Sequence, residues 1–408
     1  MESFSEDTIL QEKNIIVGVS GGIAAYKVPD LIRRLRRAGA WIQVIMTKNA
    51  QEFITPLTFQ TVSNNPVITE MFSPITTTEV AHVSLADKAN LIVIAPATAN
   101  VIAKLASGLA DDFLSTTLLA TKAPILLAPA MNVNMFLNPA TQENLQVLKR
   151  RGFFVVGPEK GDLACGWEGV GRMAEIDKII HAIKSILSPK DLKNERILIT
   201  AGSTQEPIDP VRFITNRSSG KMGYALAQAA QMRGGDVTLI TGPTHLSPPS
   251  GVKVIPVQTA SQMFEAAIKQ YKSMDIVIMA AAVSDFSPAK PSSKKIKKKD
   301  QLTLSLVKTP DILEEMGKEK GSAFLVGFAA ETENLITNAQ KKLKVKNIDL
   351  MVANDVTQPG AGFESDTNIV TLLTPEGKSE KLPKLTKGQL AHKIFDQVMA
   401  LKSTREGR

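Results

Sequence analysis

The sequence predicts an α/β protein made of two successive open parallel-sheet units, and three observations predict it. The chain has 408 residues, more than one ordinary hydrophobic core accommodates. Short apolar runs alternate with helical patterns twice over, as βαβ units do. Between the two alternations lies Ser188-Pro189-Lys190-Asp191, a polar stretch whose proline stops helix propagation. The boundary is expected near residue 190, dividing the chain into 1–190 and 191–408.

In the first unit the expected strands are Ile15 to Val19, Ile42 to Met46, Leu91 to Ala95 and Ile125 to Ala128. The expected helices are Ala24 to Arg37, Gln51 to Phe59, Asp111 to Ala120, Thr141 to Arg150 and Glu175 to Leu187. Runs such as LIVIAPAT are apolar at successive positions, which predicts strands covered on both faces. The second unit repeats the pattern with strands at Arg196 to Thr200, Val237 to Ile240, Ile276 to Met279, Phe324 to Val326 and Leu350 to Val352. Its helices are expected near Ser219 to Arg233, Ala260 to Tyr271 and Glu333 to Leu343. From Asp285 to Thr303 the pattern breaks into a Pro/Ser/Lys stretch followed by the alternating LTLSLV, which reads as an arm folding over a ligand or as a solvated loop. No repeat of 20 to 50 residues is visible, which argues against a solenoid.

Hydrophobic residues make up 43% and charged residues 22%, ordinary for a globular chain and against disorder. No apolar run reaches the roughly 18 to 20 residues that span a bilayer, and the acidic start MESFSEDT lacks the basic flank of a secretory signal. A cytoplasmic protein without a membrane partner is therefore expected. The single cysteine, Cys165, fits a reducing compartment. The net charge of +8 raises the question of nucleic acid, but six lysines fall within 290–299 and four within 341–346. Such local clusters suit a polyphosphate, and 5% aromatic residues leave few platforms for stacked bases, so no nucleic-acid partner is expected.

Two strand ends carry candidate chemistry in the first unit. VGVSGGIAAYK places Ser20, Gly21 and Gly22 between a strand and a helix, where glycines allow a sharp turn and helix N–H groups can meet a phosphate. APATAN, Ala95 to Asn100, ends a second strand at the same carboxyl edge, where open α/β sheets bind ligands. No acidic residue follows the second strand, which favours a mononucleotide over a dinucleotide. A simple tight turn would use the same glycines. The segment GDLACGWEGVGRM holds four glycines and no regular period, which describes a mobile flap rather than a core.

SGGIAAYK, APATAN, PAMN at Pro129 to Asn132 and LACGWEGVGRM occur in the order found in the phosphopantothenoylcysteine decarboxylases, a family of flavin-dependent cysteine decarboxylases that the first unit resembles. The resemblance implies a flavodoxin-like flavoprotein domain holding FMN through Ser20, Gly21, Gly22, Thr47, Pro96, Ala97, Thr98 and Asn100. It implies that Asn132 binds the substrate carboxylate, that His82 in AHVSLA is an active-site histidine, and that Cys165 donates a proton. In that chemistry the flavin oxidises the thiol-bearing carbon to a thioaldehyde, CO2 leaves, and the resulting enethiol is reduced back to a saturated thiol. On the residues alone, His82 reads more readily as a surface or satisfied histidine, Cys165 as a buried small hydrophobe, and Asn132 equally as a turn or helix cap. The family also implies a homo-oligomer, trimers with FMN between subunits that associate further into a dodecamer.

The second unit opens with ITAGSTQEPIDPVRFITNRSSGKMG, where Ser218, Ser219 and Gly220 precede a helix and suit an anion. This run, with AAAVSDF, KIKK, TPDIL and VGFAAET in order, resembles the phosphopantothenate-cysteine ligases, a Rossmann-like family. The two resemblances together cover nearly the whole chain. They imply that 4'-phosphopantothenate is activated as an acyl nucleotide with loss of pyrophosphate and then attacked by the amine of cysteine, with Mg2+ on the polyphosphate. Asp285, Lys295, Pro310, Asp311, Ile312, Leu313, Phe328, Lys342 and Lys346 are implied at the nucleotide. Asn216 is implied at the pantothenate side and in the second half-reaction, with Ala281 and Ala282 approaching the same substrate by backbone. The fusion of the two units implies CTP rather than ATP. Without the resemblance Asp285 is a turn former and the lysines a solvated face; no metal ligand is assigned.

Two competing readings remain at this point. One is a non-catalytic FMN-binding protein, against which His82, Asn132, Cys165 and the second unit all speak. The other is a decarboxylase of peptide C-terminal cysteine, which has no use for a pantothenate ligase.

Overall fold

The computed structural model describes residues 9–71, 81–162, 168–297, 301–331, 334–355 and 365–406. They form two compact units, Met1–Ser188 and Pro189–Arg408.

The first unit runs β1 (Asn14–Val19), α1 (Val28–Arg37), β2 (Trp41–Met46), α2 (Pro56–Ser63), α3 (Ala81–Lys88), β3 (Leu91–Ala97), α4 (Ala99–Ser107) and α5 (Phe113–Ala120). It continues with β4 (Ile125–Pro129), α6 (Val133–Leu137), α7 (Pro139–Arg150), β5 (Phe154–Val155), β6 (Glu159–Asp162), β7 (Glu168–Arg172) and α8 (Ile176–Leu187). Its five-stranded sheet is all parallel, in the order β2-β1-β3-β4-β5. This is the flavodoxin-like doubly wound order, whose chain reverses direction across the sheet between β1 and β3. Alternate residues of β1 serve two cores: Ile15, Val17 and Val19 pack with Leu31, Ile32, Ile179 and Ile183, whereas Ile16 joins Ile102, Leu114 and Leu148. Helices thus cover both faces, which is why the strand sequences are nearly continuous apolar runs, the buried Gln43 of β2 being an exception. The helix expected at 51–59 is divided instead into a 3-10 turn at Lys48–Glu52 and α2. Pro56 explains the division, because it restricts Thr55 to an extended conformation and suits the first position of a helix.

The second unit comprises β8 (Arg196–Ala201), β9 (Gln205–Pro207), β10 (Phe213–Thr215), α9 (Lys221–Met232), β11 (Asp236–Thr241), β12 (Lys253–Pro256), α10 (Ala260–Tyr271), β13 (Ile276–Met279), β14 (Phe286–Pro288) and β15 (Leu306–Lys308). After these come α11 (Ile312–Lys318), β16 (Phe324–Glu331), α12 (Leu335–Val345), β17 (Leu350–Asp355), β18 (Thr367–Asn368), β19 (Val370–Leu373), β20 (Ser379–Lys381), β21 (Leu385–Thr386) and α13 (Lys387–Glu406). The main sheet runs β12-β11-β8-β13-β16-β17-β19-β20. Its first six strands are parallel in the Rossmann order and the last two are antiparallel. Leu226, Ala230, Ile394 and Phe395 from α9 and α13 cover one face, and Met263, Met316 and Leu343 from α10, α11 and α12 cover the other. Of the alternating LTLSLV only the end is paired, β15 lying antiparallel to β14. No helix among the described residues is long and apolar enough to cross a membrane.

Candidate functional sites

In each unit a cavity opens at the carboxyl edge of the sheet, where the winding changes direction.

The first cavity, of about 860 Å³, is walled by the ends of β1, β3 and β4 and by the turn after β2. Ser20, only 1% exposed, ties two of these ends together. Its hydroxyl donates to Pro96 O at 2.7 Å and accepts from Thr98 N at 3.1 Å, with Thr98 Oγ1 also 3.1 Å away. Gly21 is required sterically: a Cβ there would lie 2.5 Å from Asn49 Cβ and 2.9 Å from the Asn49 carbonyl. Thr98 caps α4 without a side-chain bond, so the first turn of that helix, which includes Asn100, borders the cavity with no capping side chain over it. The buried Thr47 hydroxyl, also in the wall, has no hydrogen-bond partner among the described residues. Opposite chain segments meet at Met131, whose N–H donates to Gly171 O at 2.9 Å. A Cβ on Gly171 would lie 2.2 Å from Met131 O, so β7 presses directly on the PAMN turn.

Ser20, Gly21, Gly22, Thr47, Thr98, Asn100 and Asn132 all line this cavity. Pro96 and Ala97 do not; they stand in the strand end behind it, Pro96 supplying the carbonyl that Ser20 grips. Asn132 is indeed a helix cap, its Oδ1 accepting from Asn134 N at 2.8 Å, and it borders the cavity as well. His82 is not in the wall; its ring meets Phe113 edge-on with centroids 6.2 Å apart. Cys165 lies outside the described residues. Lys27, Lys48, Asn49, Lys104 and Arg172 were missed by the sequence reading, although Lys48 and Asn49 follow a strand end as Ser20 does. Burial opposes the charge on Lys104, but ion pairs with Asp111 and Asp112 outweigh it and hold its pKa above the ordinary lysine value.

The second cavity, of about 610 Å³, lies between the start of α9 and the ends of β13, β16 and β17. Gly220, with φ of 77°, opens α9, and a Cβ on Gly223 would lie 2.5 Å from Ala201 Cβ and 2.8 Å from Thr200 O. These glycines let the helix start close against the strand end. Asn216 Nδ2 donates to Val283 O at 2.9 Å. Ala281 N donates to Thr200 Oγ1 and Ala282 N to Gly202 O, so a substrate reaching these residues meets carbonyls and methyl groups rather than amide donors. Asp285 O accepts from Thr309 N at 3.0 Å, joining the AAAVSDF and TPDIL segments. Asp311 caps α11 and pairs with Lys346 at 2.7 Å. Burial would raise the Asp311 carboxyl, but Lys346 and the Glu314 N–H outweigh it and keep it below its ordinary value.

Asn216, Ala281, Ala282, Asp285, Pro310, Asp311, Ile312, Leu313, Phe328, Lys342 and Lys346 line this cavity. Lys295 does not. It is exposed on an arm held away by Asp209 and Arg212, with Ile296 N donating to Asp209 Oδ2 at 3.1 Å and Arg212 Nη2 donating to Ile296 O at 2.8 Å. Cations that the sequence reading did not single out, Arg217, Lys221, Lys308 and Lys387, are in the wall instead. No group of three or more His, Cys, Asp or Glu side chains able to hold a metal occurs among the described residues.

Residues 3–188 match the family model described as flavoprotein, and residues 192–401 match that described as DNA/pantothenate metabolism flavoprotein C-terminal domain. The coenzyme A biosynthesis bifunctional protein CoaBC of Bacillus subtilis (strain 168) is 48% identical over 400 residues, covering 96% of this chain and 98% of that protein. The protein of the same name from Escherichia coli (strain K12) is 46% identical over 396 residues, covering 96% and 97%. The chain belongs to this family. A crystal structure of the C-terminal domain of a CoaBC protein covers 53% of this chain and 99% of that one, at 42% identity and a TM-score of 0.46.

The first unit is accordingly a flavoprotein domain, and its cavity fits a flavin mononucleotide on its own features. The volume is within the range of cofactor pockets, Gly21 keeps the turn free of side-chain bulk, and the Thr47 hydroxyl awaits a partner.

Proposed function

We propose that the two units catalyse consecutive steps of coenzyme A biosynthesis. The second unit joins cysteine to 4'-phosphopantothenate through an acyl-cytidylate, converting CTP to CMP and pyrophosphate. The first decarboxylates the product, 4'-phosphopantothenoylcysteine, to 4'-phosphopantetheine with FMN. The observation that carries this reading is the pair of mononucleotide-sized cavities at two winding reversals, one in each unit of a chain that matches bifunctional relatives over 96% of its length.

FMN, when bound, supplies the electron sink that lets the cysteinyl carboxylate depart as CO2. The Ser20–Thr98 clasp and the open first turn of α4 favour the flavin phosphate. Asn132 has its oxygen committed to Asn134, so its NH2 is the end that meets the substrate carboxylate. Cys165 returns a proton in the final reduction, and His82 serves the same site. Ile23, Tyr26 and Met135, exposed at 56%, 62% and 50% on the cavity lining, fit a trimer-based homo-oligomer, further associated into a dodecamer, that completes the pocket.

In the second unit Asp285, the Pro310 to Leu313 turn, Phe328, Lys342 and Lys346 hold CTP, and Lys295 reaches the triphosphate when the arm swings in. Asn216, Ala281 and Ala282 position the acyl substrate. Mg2+ accompanies the triphosphate, taking most of its ligands from phosphate oxygens and water. The protein is cytoplasmic. Replacing Cys165 by serine should let CO2 form while the oxidised intermediate accumulates. Lys295→Gln should depress pyrophosphate release yet spare decarboxylation of supplied 4'-phosphopantothenoylcysteine; loss of both activities together would refute the division of labour.

A further inference from the structure

Lys387 is placed against two electrostatic preferences. It is only 7% exposed, and it occupies the first position of the 20-residue α13, the end of a helix that disfavours cations. The placement is fixed rather than incidental. Thr386 and Gln389 cap each other across the helix start, with Thr386 N donating to Gln389 Oε1 at 2.8 Å and Gln389 N donating to Thr386 Oγ1 at 3.3 Å. Lys387 Nζ donates to a neutral carbonyl, Ser365 O, at 2.5 Å.

The same cavity wall holds a second ammonium, Lys221, at the first position of α9. That helix begins at Gly220 with no side-chain cap, so its terminal amides add to the positive field. Lys221 pairs with Asp366 at 2.6 Å, but the Asp366 side chain is 85% exposed and such pairs neutralise little. Burial first, and Lys221 second, push the Lys387 pKa below its ordinary value, Asp366 opposing them. One further group in this wall, unlike the two lysines, has no hydrogen bond among the described residues: the Ser284 hydroxyl, in a residue 2% exposed. Two mutually repelling ammoniums, an uncapped helix start and a buried idle hydroxyl lining one cavity become mutually favourable once a multiply charged anion enters.

We propose that Lys387, with Lys221, forms a phosphate-holding subsite of the second unit's cavity. This rests on the ligase reading, two of whose three substrates carry phosphate: the nucleoside triphosphate in its terminal phosphates and the acyl substrate in its phosphate monoester. The shared chemistry is a phosphate dianion, and the test separates its sources.

Lys387→Met and Lys221→Met in the full chain should be compared with the wild type by calorimetric titration with inorganic pyrophosphate, CTP, 4'-phosphopantothenate and pantothenate. Loss of a charge-assisted contact predicts affinity lower by about tenfold or more. A loss confined to pyrophosphate and CTP assigns the subsite to the nucleotide. A loss on 4'-phosphopantothenate with pantothenate unchanged assigns it to the acyl substrate. Wild-type affinities for every probe in both variants would overturn the proposal while leaving the ligase reading intact, whereas a wild-type chain that binds none of the probes overturns that reading itself. Should Lys387→Met fail to fold, judged by its melting transition, the half-exposed Lys221 carries the test alone.

Discussion

Ser20→Ala removes one oxygen from a place where it joins two strands. The hydroxyl satisfies the Pro96 carbonyl and the Thr98 amide, and water has little access to replace it because Ser20 is 1% exposed. A hydrogen bond contributes about 1 kcal/mol net and a buried group left unsatisfied costs about 1–3 kcal/mol, so removing two contacts costs about 2–3 kcal/mol. For a unit of this size each kcal/mol corresponds to about 2–4 °C, which gives a fall of about 4–12 °C in the melting temperature of the first unit. If the clasp shapes the flavin pocket, rebuilding it around the ligand costs a similar ~2 kcal/mol, or roughly a 30-fold weaker flavin affinity. Flavin fluorescence quenching and a thermal melt measure the two quantities, and pyrophosphate release serves as the control that should not move. Unchanged flavin affinity in a variant whose melting temperature has fallen would refute the link between clasp and pocket.

Other perturbations test other parts. Gly171→Ala drives a Cβ to 2.2 Å from Met131 O, and overpacking of this kind costs about 1–3 kcal/mol; decarboxylation of supplied intermediate should slow while pyrophosphate release is retained. Arg233, 1% exposed, pairs with Asp191 and Asp396 and stacks over Phe395 at 5.8 Å; because the two carboxylates reach solvent, Arg233→Met should destabilise the second unit by only about 1–3 kcal/mol, seen in calorimetry, with the flavin still bound. Burial would raise the Asp209 carboxyl, but Arg212 and the N–H groups of Val211, Ile296 and Arg212 hold it well below the usual carboxylate range. Its folded pKa is thus depressed, so the stability it contributes is fully present above about pH 4 and is lost only as the pH falls from there through the lower folded value; because the carboxylate stays ionised in the folded chain, hydrogen exchange at Ile296 should remain protected below about pH 4, and Asp209→Asn should remove the protection at neutral pH.

The parallel strands were legible because both faces of each are buried, so Ile15 to Val19 or Leu91 to Ala95 cannot read as anything that alternates. Strand order was not legible, since nothing local in Ile42 to Met46 says that it lies beside β1 on the side away from β3. The antiparallel edge β19–β20 and the long α13 carried no expectation. Their registers depend on β17 and α9, partners distant in sequence. At the sites, glycine turns and helix starts were visible from the chain, which is why Ser20, Gly21, Asn132 and the 310–313 turn meet their cavities. Lysines were the least legible. Lys295, in a dense run, lies outside the wall, whereas Lys387, in the ordinary stretch KLPKLTK, is buried in it. Lysine burial is set by tertiary packing, and no local pattern reports it.

The most direct measurement uses protein stripped of flavin and supplied with 4'-phosphopantothenate, cysteine, CTP and Mg2+. Pyrophosphate should appear and 4'-phosphopantothenoylcysteine accumulate with no CO2, and adding FMN should turn the protein yellow and convert the accumulated material. Release of CO2 without flavin, or pyrophosphate formation that itself requires flavin, would contradict two independent sites on one chain.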